Sequence, residues 1–300
     1  MKTKVILSVV VMLSLLSVLV APGTCAPTMA VPHYSLKVFA TGLNGPFGMA
    51  FDKDENLYVA NEGAGGGGHT ISKITPKGQV SVFATGFFGP SGLAFDKEGN
   101  LWVSDDEHPF NIWKVAPDGS VTVGSAFEFW NPNAIAFDKD WNLFVSDAGS
   151  GIYKISPDGS VSFFAGGFEM QTQAVAFDKS GNVYTSDFTG RIYKIDPSGS
   201  WIVFSEGVLK STQGGLAFDK KGNLYASESW LYIGGEGVLN VYVFTPDGEG
   251  KPFVTGFEPN GGFNFPRGLV FDKSGRLYIT ECPRGIIWRV AHGLALGKEL

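Results

Sequence analysis

Cysteine is almost missing from this chain: there are two in 300 residues, Cys25 and Cys282. Cys25 falls in a segment that reads as a removable leader, so the folded body keeps one thiol and no intrachain disulfide, and buried apolar area has to hold it together. Histidine is also scarce, at four, and His69 and His108 stand in irregular loop sequence without the paired spacing of a metal site. Basic charge is short as well. The 23 Lys and Arg stand against 29 Asp and Glu for a net −6, and losing Lys2 and Lys4 with the leader would leave −8. That surface lacks the basic footprint expected for binding nucleic acid or anionic lipid. Finally, there is one long apolar run and no second, which argues against a transmembrane segment in the mature chain.

The single run, Val5 to Val20, follows Lys2 and Lys4 and precedes Ala21-Pro22-Gly23-Thr24-Cys25-Ala26. A basic start, a short apolar stretch and small residues beyond it describe a secretory signal peptide, cut after Ala26 or Ala30. Thr24 and Pro22 suit a lipid-attachment site at Cys25 poorly. The expectation is a signal peptide over residues 1–30 and a single domain over 31–300, secreted or otherwise extracytoplasmic and monomeric.

What the chain has in abundance is repetition. One phrase occurs six times, from Gly48-Met49-Ala50-Phe51-Asp52-Lys53 to Gly268-Leu269-Val270-Phe271-Asp272-Lys273, with its Phe at 51, 95, 137, 177, 218 and 271. Each copy has an apolar run ending in Phe-Asp, a polar Lys-x-Gly-Asn-like turn and an alternating run, which is a β-hairpin by pattern and turn chemistry. A third run such as Ile152–Ile155 and, after a Pro-Asp-Gly turn, a fourth such as Val161–Ala165 complete a four-stranded unit. Units of this length that cannot bury their own faces stack around an axis as propeller blades. The last repeat ends after its third strand, while Tyr34–Gly42 is an orphan that matches the fourth strands. The predicted fold is all-β: a six-bladed propeller with four antiparallel strands per blade, its sixth blade closed by the N-terminal strand.

Two rings follow from the repeat register. Just before the inner strands stand Phe47, Ser91, Asn133, Gln173, Gly214 and Arg267. These vary from blade to blade, as a specific ligand site requires, and the rim aromatics Trp130 and Trp230 flank them. At the ends of the second strands stand Asn61, Asp105, Asp147, Asp187, Glu228 and Glu281. Their repetition fits a scaffold role, each carboxylate accepting backbone N–H groups from the following turn. On the opposite face, Lys53, Lys97, Lys139, Lys179, Lys220 and Lys273 each follow an Asp, which predicts a charge-balanced, solvated surface.

On the repeat phrase and the closing strand, the chain resembles the NHL-repeat and gluconolactonase/paraoxonase-like six-bladed propellers, to which virginiamycin B lyase and strictosidine synthase are similar in fold. The resemblance spans roughly Tyr34 to His292 and implies a divalent cation, calcium above all, at the top of the channel. By motif, Asn133 takes the place of one amide ligand and Gln173 could supply a second. The acids of that pattern are missing, since Phe47 and Gly214 stand in their places and Arg267 joins the ring. Two readings stay open. One is a non-catalytic binding or scaffold module that takes a small-molecule or protein ligand on the top face, through Phe47, Ser91, Asn133, Gln173, Arg267, Trp130 and Trp230. The other is a metal-assisted lactonase-like hydrolase or lyase, with Asn133, Gln173, Asp147, Asp187 and Glu228 as candidate ligands of calcium or another divalent ion.

Overall fold

The computed structural model describes residues 26–63, 69–149, 151–211, 214–228, 239–257, 265–282 and 284–292. Two strands precede the first repeat: β1 (Thr28–Met29) and β2 (Tyr34–Ala40). Blade one is then β3 (Pro46–Phe51), β4 (Leu57–Asn61), β5 (Thr70–Ile74) and β6 (Val80–Thr85). Blade two is β7 (Pro90–Phe95), β8 (Leu101–Asp105), β9 (Ile112–Val115) and β10 (Val121–Ser125). Blade three is β11 (Pro132–Phe137), β12 (Leu143–Asp147), β13 (Gly151–Ile155) and β14 (Val161–Ala165). Blade four is β15 (Ala176–Phe177), β16 (Val183–Ser186), β17 (Ile192–Ile195) and β18 (Trp201–Ser205). Blade five is β19 (Leu216–Phe218), β20 (Leu224–Ser227), β21 (Leu239–Phe244) and β22 (Gly250–Phe257). Blade six has β23 (Phe265–Phe271), β24 (Leu277–Cys282) and β25 (Ile286–His292), and β2 is its outermost strand.

All six sheets are antiparallel, four of them simple meanders, and no helix occurs among the described residues. The β2–β25 pairing runs from Tyr34 opposite His292 to Ala40 opposite Ile287. Blade five carries a fifth strand, because β1 pairs with β22 (Thr28 with Thr255, Met29 with Val254). Ala30 adds a backbone bond to the Phe253 carbonyl at 2.9 Å. Thr28 to Ala30, assigned to the leader on sequence grounds, therefore contact the folded body.

The repeated aromatic residues explain why the blades stack. A second-strand ring packs edge-on against the fourth-strand Phe of its own blade and the inner-strand Phe of the next, as Tyr58 does with Phe83 and Phe95 at centroid distances of 4.9 and 5.0 Å. Tyr184 with Phe204 and Phe218, and Tyr225 with Phe253 and Phe271, repeat the arrangement. The Phe of each Phe-Asp-Lys phrase is thus the neighbouring blade's contact, in the edge-to-face geometry that favours aromatic pairs.

Nearer the axis the inner strands touch through glycine. A Cβ on Gly92 would lie 2.7 Å from the Asn133 carbonyl oxygen, and one on Gly215 would lie 2.7 Å from the Leu269 nitrogen. Hydroxyls from the second strands stitch this inner layer. Ser104 accepts from the Gly92 N–H at 2.8 Å and donates to the Asn133 carbonyl at 2.5 Å. Thr280 accepts from the Gly268 N–H at 2.7 Å and donates to the Phe47 carbonyl at 3.1 Å.

On the face opposite the variable ring, the aspartates of the Phe-Asp-Lys turns serve their own hairpins. The Asp52, Asp178 and Asp219 carboxylates turn into their own hairpins and accept from the Asn56, Asn182 and Asn223 N–H groups. Three ring lysines reach sideways, Lys179 donating to the Lys220 carbonyl, Lys220 to that of Lys273, and Lys273 to that of Lys53, while Lys97 and Lys139 pair with the acids that follow them, Glu98 and Asp140.

Candidate functional site

The variable ring converges on one cavity of about 230 Å3 at the top of the channel, lined by Phe47, Glu62, Asp106, Trp130, Asn131, Asn133, Gln171, Gln173, Phe188 and Arg267. Five of the seven residues expected to contact a ligand therefore share it: Phe47, Asn133, Gln173, Arg267 and Trp130. Ser91 does not line it, because its buried hydroxyl points back into the scaffold toward the Asn133 carbonyl at 2.9 Å and Ser104 at 3.0 Å. Trp230 lies outside the described residues. Trp130 is 71% exposed and covers the cavity's rim beside Gly149.

Arg267 is 12% exposed at its side chain and forms an ion pair with Glu62. Its guanidinium lies between two rings, 4.3 Å from the centroid of Phe47 and 4.8 Å from that of Phe265. That sandwich fixes the plane of the fork and leaves its charge balanced by Glu62. The protein itself thus supplies an anion beside Arg267.

Asp106 stands beside this pair. Burial raises its carboxyl from 3.8 to about 8, the Glu62 charge adds to the rise and Arg267 opposes it. Asn131 donates to the Asp106 backbone carbonyl at 3.0 Å, and its own side-chain oxygen accepts from Asn133 at 2.8 Å, so the amides are oriented by one another. Three buried polar atoms of this lining have no hydrogen-bond partner among the described residues: Asp106 Oδ1, Gln173 Nε2 and Arg267 Nε. Buried polar atoms are paired as a rule, so three orphans around one cavity mark a place that a ligand or solvent completes.

The acidic ring has a different task. Asp147 accepts from the Trp130 and Asn131 N–H groups at 3.0 and 2.7 Å. Asp187 accepts from Thr189 N–H at 2.9 Å and the Tyr193 hydroxyl at 2.7 Å. Glu228, whose carboxyl is pushed up by burial, accepts from Lys210 N–H at 3.2 Å and the Asn240 amide at 2.9 Å. These three candidate metal ligands are spent on the scaffold. Asp187 binds the turn that follows it, accepting from the Thr189 and Arg191 N–H groups. Asp105 and Asp147 hold the loop that precedes their blade, because antiparallel pairing sets Pro90 opposite Asp105 and Pro132 opposite Asp147.

Glu62 and Asp106 escaped the sequence reading, although a signal existed. Each immediately follows an acidic-ring position, and the residues at that register (Glu62, Asp106, Ala148, Phe188, Cys282) vary as the first ring does. Together with Asn133 and Gln173 they supply oxygen donors of the kind calcium takes. The set nevertheless fails to fit the ion, since the Arg267 guanidinium already occupies the cationic place beside Glu62 and would repel a second positive centre.

Neither a protein-family profile nor any curated protein sequence matches the chain. Solved structures do match. A gluconolactonase from Xanthomonas campestris is 17% identical at a TM-score of 0.69, over 89% of this chain and 95% of that one. A streptogramin B lyase is 14% identical at 0.63, over 86% and 97%. Virginiamycin B lyase from Staphylococcus aureus is 14% identical at 0.61, over 86% and 99%. By fold, the chain is a six-bladed β-propeller similar to those of the gluconolactonase-like and virginiamycin B lyase structures.

Proposed function

We propose that this is an exported propeller that binds a small, uncharged, hydroxyl-rich molecule in the cavity at the top of its channel. The observation that carries this reading is the set of unpartnered buried atoms, Asp106 Oδ1, Gln173 Nε2 and Arg267 Nε, around a single cavity of about 230 Å3. A hydroxyl both donates and accepts, so one such group can satisfy an amide N–H and a carboxyl oxygen together. Four amides, from Asn131, Asn133, Gln171 and Gln173, extend the same chemistry, while Phe47, Trp130 and Phe188 offer ring faces to C–H surfaces. The ion pair within the lining leaves no net charge for a ligand anion to seek. The similarity to a gluconolactonase fold agrees in kind with a sugar-derived ligand.

A second reading, hydrolysis of such a molecule when it is a lactone, is favoured by Asp106, whose carboxyl at about 8 keeps its proton at neutral pH. Water adds to the lactone carbonyl carbon, the ring C–O bond breaks, Asp106 protonates the departing oxygen and recovers a proton from the water.

The test is calorimetric titration of the mature protein with sugars and sugar lactones, followed by product analysis. A saturable heat that is weakened at least tenfold by Gln173→Ala supports the binding site. Turnover that Asp106→Asn removes while ligand still binds establishes the catalytic reading, and binding without turnover leaves the module reading. Calcium at millimolar concentration is expected to leave the thermal midpoint unchanged. A calcium-dependent rise would overturn the assignment of Arg267 as the site's cation.

A further inference from the structure

Five of the six blades build a cation into the seam that joins them to the next blade. On the third strand, directly opposite the second-strand aromatic, stands a basic residue: Lys73 opposite Tyr58, Lys114 opposite Trp102, Lys154 opposite Phe144, Lys194 opposite Tyr184 and Arg289 opposite Tyr278. The ammonium groups of Lys73, Lys114 and Lys194 lie 5.2, 5.2 and 5.7 Å from those ring centroids. The same three groups lie 3.8, 3.2 and 4.0 Å from Asp52, Asp96 and Asp178, the aspartates of the hairpin turns. Each is therefore held by a carboxylate on one side and a ring face on the other.

Blade five breaks the rule. Val243 stands opposite Tyr225, and Asp219 has no basic side chain within ion-pair distance among the described residues. At this place, and on the face away from the variable ring, lies a cavity of about 140 Å3 lined by Asp219, Tyr225, Phe253, Phe271, Leu277 and Val290, with Tyr34, Gly275, Lys220 and Lys221 completing it. The Tyr225 hydroxyl is pushed up in pKa by burial and by the Asp219 charge. No cation contributes there, whereas Lys73 and Lys194 act on Tyr58 and Tyr184.

We infer that this cavity is a binding site for a small primary alkylammonium ion, which takes the position that a lysine side chain fills in the other seams. The ammonium meets the Asp219 carboxylate and the Tyr225 ring, and the alkyl part lies along Leu277 and Val290. Lys220 does not bar it, because its ammonium is turned to the Lys273 carbonyl. Its blade-four counterpart Lys179 is turned to the Lys220 carbonyl in the same way, while Lys194 sits beside Asp178. Lys221 adds a positive charge to the lining and restricts the ligand to a single ammonium.

The experiment uses n-butylammonium, the lysine side chain as a free molecule, with butyrate as its charge-reversed counterpart at matched ionic strength. Ligand-observed NMR and thermal unfolding on the mature protein report binding, beside the variant Val243→Lys. Expected are saturable binding of the amine with a rise in midpoint, at least tenfold weaker binding in Val243→Lys, and a higher midpoint for that variant without ligand. Because Val243 is half-buried at the strand surface, the lysine head can reach Asp219 as its counterparts do. If Val243→Lys fails to fold, the wild-type titration still decides. Absence of amine binding, undiminished amine binding in the folded variant, or binding of butyrate in place of the amine each overturns the inference, the last by making Lys220 and Lys221 an anion site.

Discussion

Among single residues, Asp106 gives the sharpest expectation. Its folded-state carboxyl sits at about 8 against an ordinary 3.8, so the native chain holds a proton that the unfolded chain releases. The resulting stabilisation is complete below the ordinary value and is lost as pH rises through about 8. The thermal midpoint should therefore fall between mildly acidic pH and pH near 8, and Asp106→Asn should flatten that part of the profile. Glu62→Gln removes a negative neighbour and should move the descent to lower pH; an unchanged profile in both variants would show that Asp106 is not the group responsible. Part of this site was legible in the sequence. The variation of Phe47, Asn133, Gln173 and Arg267 at one register pointed to the cavity that they share. Glu62 and Asp106 were hidden because a position one residue past the end of the second strand reads as loop, and only the pairing of neighbouring strands turns it inward. Ser91 misled for the complementary reason: a small hydroxyl at the same register finds the Asn133 carbonyl before it reaches the channel.

Strands are the scale at which this fold is specified most redundantly. All six copies of the phrase encode a Phe for the seam and an Asp that closes its own hairpin; four add an inner-strand glycine (Gly48, Gly92, Gly215, Gly268) that admits the next inner strand, and blades two and six add a second-strand hydroxyl, Ser104 or Thr280, that binds two backbones at once. Ser104 links Gly92 and Asn133, and so joins blade two to β11, the inner strand that carries Asn133. Ser104→Ala leaves buried partners unmet and should cost about 1–3 kcal/mol. It should also loosen Asn133, which a comparison of ligand affinity in the variant and wild type will register. The alternation and turn chemistry of the repeat made the blades visible without coordinates. The direction in which the acidic ring binds was not visible, because it depends on which loop an antiparallel neighbour brings alongside, as Pro132 opposite Asp147 shows.

For the molecule as a whole, both ends of the described chain are built into the ring. β1 extends blade five and β2 completes blade six, so a mature chain beginning at Val31 would lose the pairs of Thr28 and Met29 with β22. Such a chain should melt a few degrees below one beginning at Pro27, as a differential scan of the two would show, since each lost backbone bond is worth about 1 kcal/mol. The expected boundary between a leader and the body was the least legible feature of the sequence, because small residues at Ala26 and Ala30 would satisfy a peptidase equally and a two-residue strand has no periodicity to read. The β2–β25 pair carries one more consequence, a mechanical one. Tyr34 lies opposite His292 and Ala40 opposite Ile287, so the two chain ends leave this pair from the same edge. A pull applied to both termini first meets the β1–β22 pair on the N-terminal side; once that yields, it loads the β2–β25 hydrogen bonds one after another, like a zipper opened from its free end, and not all together in shear. One end can therefore be tethered without loading the joint, whereas tension between two tethers would open the ring at its weakest geometry.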